Sequence, residues 1–440
     1  MRSRDVKAKV AFVSDNAGTS FSEVNAIVFV VVTFAFVSLT LQHARRGSKR
    51  HERMTEVFET ITLAAASLAS MFAPRLAFTA SCVAAGSCAL YWIAPKREDH
   101  ARAAARTFSF EDGVAMYRFT LAMLTVIAIL AVDFAPFPRK LGKTETYGVS
   151  LMDVGGGSYI FSSAIVSRAA RGSARQSLSS NVRKVLPVIV LGIVRLVTTS
   201  AVGYHSIESE YGRHWNFFFT LAAVRMFPFV PERALVFGVT ITLAYQYILT
   251  AYGLSEWVLQ APGERNHSHA NWLVRVVSMN REGICSVSGY YAIHLIGVHL
   301  GKSMSKPTSS IAPWLRRTAI MVIVFWCVAL VLHRGVENIS RRAANSSYVF
   351  WVVAFNLQVV IAYVAMTHML ARRLPTLIVP RLAFAVSRNQ LIVFLAGNIL
   401  TGIVNLSMDT IGANDAEAWA VMTVYVCTIC VVALKTPSGG

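Results

Sequence analysis

Apolar residues recur along the whole chain in blocks of roughly 16–25, the length a helix needs to cross a hydrocarbon core of ~30 Å, and short polar or charged stretches separate them. A chain patterned in this way has lipid as the solvent for most of its length. Composition agrees: of 440 residues 55% are hydrophobic and only 15% charged, and the mean hydropathy is +0.51. A soluble chain of this length would instead divide into two or three domains of ordinary polarity.

The expected fold is therefore all-α, a polytopic transmembrane helix bundle of about 13 spanning helices, with residues 1–440 forming a single transmembrane domain. The spans are expected near 24–41, 57–73, 76–93, 115–133, 148–167, 185–203, 214–230, 234–254, 284–300, 317–333, 348–371, 389–408 and 417–434. Only Pro74 and Arg75 divide the second from the third.

The formal net charge of +19 would suit a nucleic-acid partner, but the Lys and Arg residues sit in short segments between apolar blocks rather than on one basic face. Topology accounts for them. An odd number of spans puts the termini on opposite sides, and the basic residues favour the loops that are cytosolic if the N-terminus lies outside. Residues 1–23 then form an external N-terminal segment, and 255–283 is the longest external loop. That loop carries Asn266-His267-Ser268, a glycosylation acceptor pattern usable only on a luminal face. The first apolar block begins near Ala26 after a polar stretch holding Arg2, Arg4, Lys7 and Lys9, so a retained first span is expected rather than a cleaved signal.

Ionisable groups at membrane depth are costly, and each is a functional hypothesis. Asp133 ends the fourth span, and Lys143 stands in the loop before the fifth. A carboxylate and an ammonium at one membrane surface can serve as general base and oxyanion stabiliser; the structural alternative is a snorkelling pair at a helix end. His214, Trp215 and Asn216 enter the seventh span from the same side, suited either to a hydroxylated headgroup or to an aromatic belt. Asn280, Arg281 and Glu282 form a third external cluster. Asn398 and Asn405, seven apart in the twelfth span, share a helix face as interhelical hydrogen-bonding residues do. His294 and His299 are five apart and do not form an i, i+4 metal pair, and the six cysteines give no disulfide framework, with Cys427 and Cys430 read as packing residues. No metal site is expected.

Six segments, in this order, resemble the GPI-anchor inositol acyltransferase family: KAKVAFVSDNAGT (Lys7 to Thr19), AILAVDFAPFPRKLGKTETYGVSLMD (Ala128 to Asp153), EYGRHWNFFFTL (Glu210 to Leu221), NREGI (Asn280 to Ile284), SRRAAN (Ser340 to Asn345) and NQLIVFLAGNILTGIVNLSMDT (Asn389 to Thr410). The resemblance implies a thirteen-span enzyme of the endoplasmic reticulum membrane. It would move a fatty acyl chain from acyl-CoA, its co-substrate, to the inositol 2-hydroxyl of glucosaminyl-phosphatidylinositol, with no further cofactor. It also implies a luminal N-terminus, a cytosolic C-terminus and a catalytic pair at Asp133 and Lys143. His214, Asn216, Asn280, Arg281 and Glu282 are then the expected headgroup-site residues. The chain departs from the family pattern at Tyr204 to Gly212, YHSIESEYG, where Ile207 replaces the family's upstream histidine, so any role of that histidine does not transfer.

The basic stretches 168–184 and 372–388 are the expected attractors of the CoA phosphates. Two other function classes fit many spans with polar residues between them. One is a lipid transporter or scramblase, for which Gly155-Gly156-Gly157 in the fifth span has no counterpart in a second half. The other is a membrane-bound acyltransferase with a different acceptor.

Overall fold

The computed structural model describes residues 15–44, 49–93, 110–172, 178–201, 211–227, 232–260, 271–304, 311–373 and 379–437. The glycosylation pattern at Asn266, the segment around Ile207 and the first part of the N-terminal motif lie outside these residues. Among the described residues every regular element is helical: α1 Phe21–Ala44, α2 Lys49–Phe72, α3 Pro74–Ile93, α4 Phe110–Ala131, α5 Leu151–Ile165, α6 Leu178–Ala201, α7 Phe217–Met226, α8 Ala234–Ala251, α9 Leu254–Leu259, α10 Trp272–Met279, α11 Arg281–Met304, α12 Ala312–Gly335, α13 Ser346–Arg373, α14 Arg381–Arg388, α15 Gln390–Ser407 and α16 Asp415–Lys435, with a short 3₁₀ turn at Arg139–Leu141.

A helix stands at each of the thirteen expected span positions, but among the described residues eight helices are long and apolar enough to cross a membrane: α1, α4, α8, α11, α12, α13, α15 and α16. The protein is thus an all-helical, multi-pass membrane protein. The fifth and seventh expected spans are short. α5 has 15 residues and α7 only 10, because α7 stops at Met226, just ahead of Pro228, whose ring disfavours helix in the residue before it. The expected 255–283 loop holds two short helices, α9 and α10.

The chain divides into two compact units. The first comprises Met1–Gly18 and Lys143–Asn356, the second Thr19–Gly142 and Leu357–Gly440, so that α13 gives its first part to one and its remainder to the other.

In the first unit α11 is the central element, packed by α5, α7 and α8. Lipid offers no hydrophobic drive for helices to associate, so close contact depends on small residues. Gly297 and Gly301, four apart on α11, supply it. A Cβ on Gly297 would lie 2.8 Å from the Ala164 methyl, and one on Gly301 2.3 Å from the Ile165 carbonyl oxygen. By contrast the apolar side chains of α12 are largely exposed, as lipid-facing residues should be. Only 17% of its most apolar window is buried, against 78% for α4.

In the second unit α4 is the buried helix, in contact with α2, α14, α15 and α16. Its polar groups are satisfied by neighbours, as the hydrocarbon environment demands. Thr120 and Tyr363 share a hydrogen bond of 2.6 Å, Tyr425 donates to the Val126 carbonyl over 2.8 Å, and Arg118 donates through Nε to the Ser387 carbonyl over 3.1 Å. α16 begins with a capping box between Asn414 and Glu417.

Candidate active site

Asp133 belongs to the second unit. α4 ends at Ala131 because Pro136 and Pro138 follow, and two tight turns carry the chain over Asp133, whose N–H donates to Leu130 O at 3.1 Å. Phe134 and Phe137, both buried, anchor the stretch on either side. The carboxylate is therefore held at a helix C-terminus, where the helix dipole disfavours negative charge. Two groups offset this. Asn405 donates from Nδ2 to Asp133 Oδ2 over 2.8 Å. Arg139 donates to the Val132 carbonyl over 2.8 Å; burial lowers its pKa from the usual arginine value, and the neighbouring Asp133 charge opposes that shift. Asn405 is itself buried, and its Oδ1 accepts from Thr410 Oγ1 at 3.4 Å, which fixes which end of the amide faces Asp133. Its expected partner in the helix-face pair, Asn398, bonds instead to Phe394 O of its own helix.

Lys143 belongs to the first unit, half-buried at the start of a loop that runs to α5. The N-terminal segment wraps this loop. Asn16 donates from Nδ2 to the Lys143 carbonyl (3.1 Å), its own carbonyl accepts from Glu145 N (3.2 Å), and its Oδ1 accepts from Gly18 N (3.1 Å). Next along, Thr144 donates through both N and Oγ1 to the fully buried Asp153, with Oγ1···Oδ2 at 2.8 Å. Ser150 donates to the same carboxylate (2.8 Å) while its hydroxyl accepts from Asp153 N, capping α5.

Asp153 in turn binds Arg341, whose Nε lies 2.9 Å from Oδ1; the side chains are 4% and 0% exposed. Arg341 also sits over the Tyr211 ring at 5.9 Å. Its neighbour Arg342 pairs with buried Glu282 at 3.1 Å and donates to the Glu145 carbonyl at 3.0 Å. Burial lowers the Arg342 pKa, and the Glu282 carboxylate opposes that shift. Two buried ion pairs thus tie the SRRAAN segment to the first turn of α5 on one side and to α11 on the other. Such pairs give little net stability against apolar packing, but losing one partner strands a buried charge.

The expected headgroup residues fall along one seam of this unit. The chain at 211–214 runs beside 279–283: Arg213 N donates to Met279 O (3.0 Å) and Gly283 N to Tyr211 O (3.0 Å). Gly212 has φ +109°, and a Cβ there would meet the Asn280 Cα at 2.5 Å, so this approach needs glycine. Asn280 accepts from His214 N (2.8 Å) and donates to Val276 O (2.8 Å). Asn216 caps α7, accepting from Phe218 N (3.0 Å) and donating to Gly192 O (2.9 Å). Arg281 donates to both the backbone and side-chain oxygens of Gln260, at 2.8 and 3.3 Å, over the Trp257 ring. Glu282 is spent on Arg342. Of the five, His214 alone is exposed.

Asp153, Arg341, Arg342, Asn16 and Tyr211 are not among the expected site residues, although all lie within the six segments that carry the family resemblance. The signal was the pair of adjacent arginines in SRRAAN, charges which by position alone read as solvated loop residues.

The family model GWT1 matches residues 5–436. Among curated proteins, the phosphatidylinositol-glycan biosynthesis class W protein of Dictyostelium discoideum is 35% identical over 72% of this chain and 72% of its own length. The glucosaminyl-phosphatidylinositol-acyltransferase PIGW of Mus musculus is 32% identical over 73% of each chain. The GPI-anchored wall transfer protein 1 of Aspergillus fumigatus is 32% identical over 98% of this chain and 97% of its own.

Proposed function

The chain belongs to the GWT1 family, and from that premise we propose that it is an acyl-CoA-dependent O-acyltransferase of GPI-anchor biosynthesis, acting on the inositol 2-hydroxyl of glucosaminyl-phosphatidylinositol. The observation that carries this reading is the fixed, half-exposed carboxylate of Asp133, held by Asn405 at the end of α4 in a segment that resembles the catalytic motif of inositol acyltransferases. The mouse relative, a glucosaminyl-phosphatidylinositol-acyltransferase by name, supports the substrate class.

In the proposed reaction Asp133 accepts the proton of the inositol hydroxyl as its oxygen attacks the thioester carbonyl carbon. The Lys143 ammonium stabilises the resulting oxyanion. Collapse of that intermediate breaks the carbon–sulfur bond, and the departing CoA thiolate takes the proton back from Asp133. The products are the acylated inositol lipid and free CoA, with no net change of charge on the protein. His214 is the side chain available to touch the headgroup, whereas Asn216, Asn280, Arg281 and Glu282 shape the surface behind it. The basic stretches 168–184 and 372–388 attract the CoA phosphates from the cytosolic side. In this reading the protein resides in the endoplasmic reticulum membrane with its N-terminus luminal and its C-terminus cytosolic.

The test is transfer of radiolabelled acyl groups from acyl-CoA to glucosaminyl-phosphatidylinositol in membranes containing this chain, beside Asp133→Asn and Lys143→Ala variants at matched expression. Transfer by the parent, lost in both variants, is the expected result. Absence of transfer in the parent would move a lipid transporter to the front.

A further inference from the structure

A groove of about 550 Å³ opens on the first unit along α7, and its lining is apolar except for His214, Trp215 and Asn280, the first two standing just ahead of the N-terminus of α7. The far end is formed by Ala223, Met226 and Phe227, where the Phe227 ring packs against Tyr291 with centroids 5.1 Å apart. The ten residues of α7 rise about 15 Å, which sets the length of chain that can lie along it.

Three features specify its occupant. The groove is polar at one end only, which suits a chain with one polar terminus. Its volume is that of a single-ligand pocket, matching one alkyl chain rather than the paired chains of a phospholipid. Its polar end adjoins the buried ionic network of the first unit, because Asn280 holds the backbone of His214, and Gly283 beside it binds Tyr211, which lies under Arg341.

We propose that this groove holds the acyl chain of the donor thioester, with its carbonyl end at His214 and its methyl end against Phe227, and that Ala223 and Phe227 set the length of the chain transferred. This rests on the acyltransferase reading above. In the bilayer the acyl chain is already out of water, so its length is selected by close fit to the groove rather than by transfer from water. A chain that just reaches Phe227 therefore outcompetes a shorter one, and a longer chain must fold back into the bilayer.

The experiment supplies the full-length protein in membranes with an equal-concentration mixture of medium- to long-chain acyl-CoAs and reads the acylated lipid product by mass spectrometry. Ala223→Phe fills the groove and should shift the product toward shorter chains, changing the ratio of chains two carbons apart by about tenfold, the lower end of what an apolar pocket discriminates. Phe227→Ala opens the end and should shift it the other way, which keeps the test decisive if the first variant does not fold. An active parent whose product distribution is unchanged in both variants overturns the assignment. So does an unchanged distribution with a raised KM for the glucosaminyl lipid, since that would give the groove to the acceptor. A parent that transfers no acyl chain at all overturns instead the reading on which the assignment rests, and the assignment with it.

Discussion

Asn405 Nδ2 and Asp133 Oδ2 are 2.8 Å apart, and this single hydrogen bond fixes a side chain of α15 against the end of α4. The amide donor adds to the charge of the neighbouring Arg139 in favouring the ionised carboxylate. One oxygen is oriented by Asn405, and the half-exposed carboxylate keeps capacity to accept a proton.

Replacing Asp133 by Asn should lower kcat by about 10²–10⁴-fold with the melting temperature little changed. Replacing Asn405 by Ala should lower it by about ten- to a hundredfold, the worth of a hydrogen bond to a charged group. Asn405→Asp should be worse than Ala, because it sets a second carboxylate against the first. Steady-state transfer rates on correctly inserted protein decide the matter, and an Asn405→Asp variant as active as Ala would remove the electrostatic argument.

Asn16 holds the loop of Lys143 from the N-terminal segment. Asn16→Ala should lower kcat by about tenfold through misplacement of Lys143. Asn16→Asp keeps the acceptor for Gly18 N and loses only the donor to the Lys143 carbonyl, so it should fall between Ala and parent. Comparing kcat with thermal stability for the pair separates loss of positioning from loss of fold.

Arg341→Met leaves Asp153 buried without its cation and should destabilise the protein by about 3–5 kcal/mol. Adding Asp153→Asn should recover a substantial part of that loss. Thermal unfolding in a mild detergent reads both, and additive single-variant effects would show that the two side chains do not depend on each other.

Gly212→Ala should also destabilise, by about 1–3 kcal/mol, since its φ of +109° is strained for any side chain and the added methyl meets the Asn280 backbone. The same variant should weaken binding of the acceptor lipid through displacement of His214, so a rise in KM should accompany the fall in melting temperature.

The helices were legible because hydrophobic periodicity is local. Every expected span coincides with a helix, and Asp133 and Lys143 stood out as charged residues beside apolar blocks. Pro228 sets the early end of α7, a stop that composition averaged over the 214–230 window concealed. The buried ionic network was not legible. Arg341 and Asp153 are 188 residues apart, and nothing in the neighbourhood of either tells which loop charge will be solvated and which will be enclosed. Asn405 lay between these cases: its place on an apolar helix announced a hydrogen bond to another helix, while the identity of the partner depended on tertiary packing.

The long reach of these pairs also orders the protein's birth. Asp153 is synthesised well before Arg341, and Glu282 before Arg342, so the first unit must wait, with both carboxylates lacking their guanidinium partners, until the SRRAAN segment leaves the ribosome. The early-made Asn16 likewise meets its Lys143 loop only after 127 further residues. A chain interrupted between Asp153 and Arg341 therefore carries at least one acidic group meant for burial without the cation that offsets its cost.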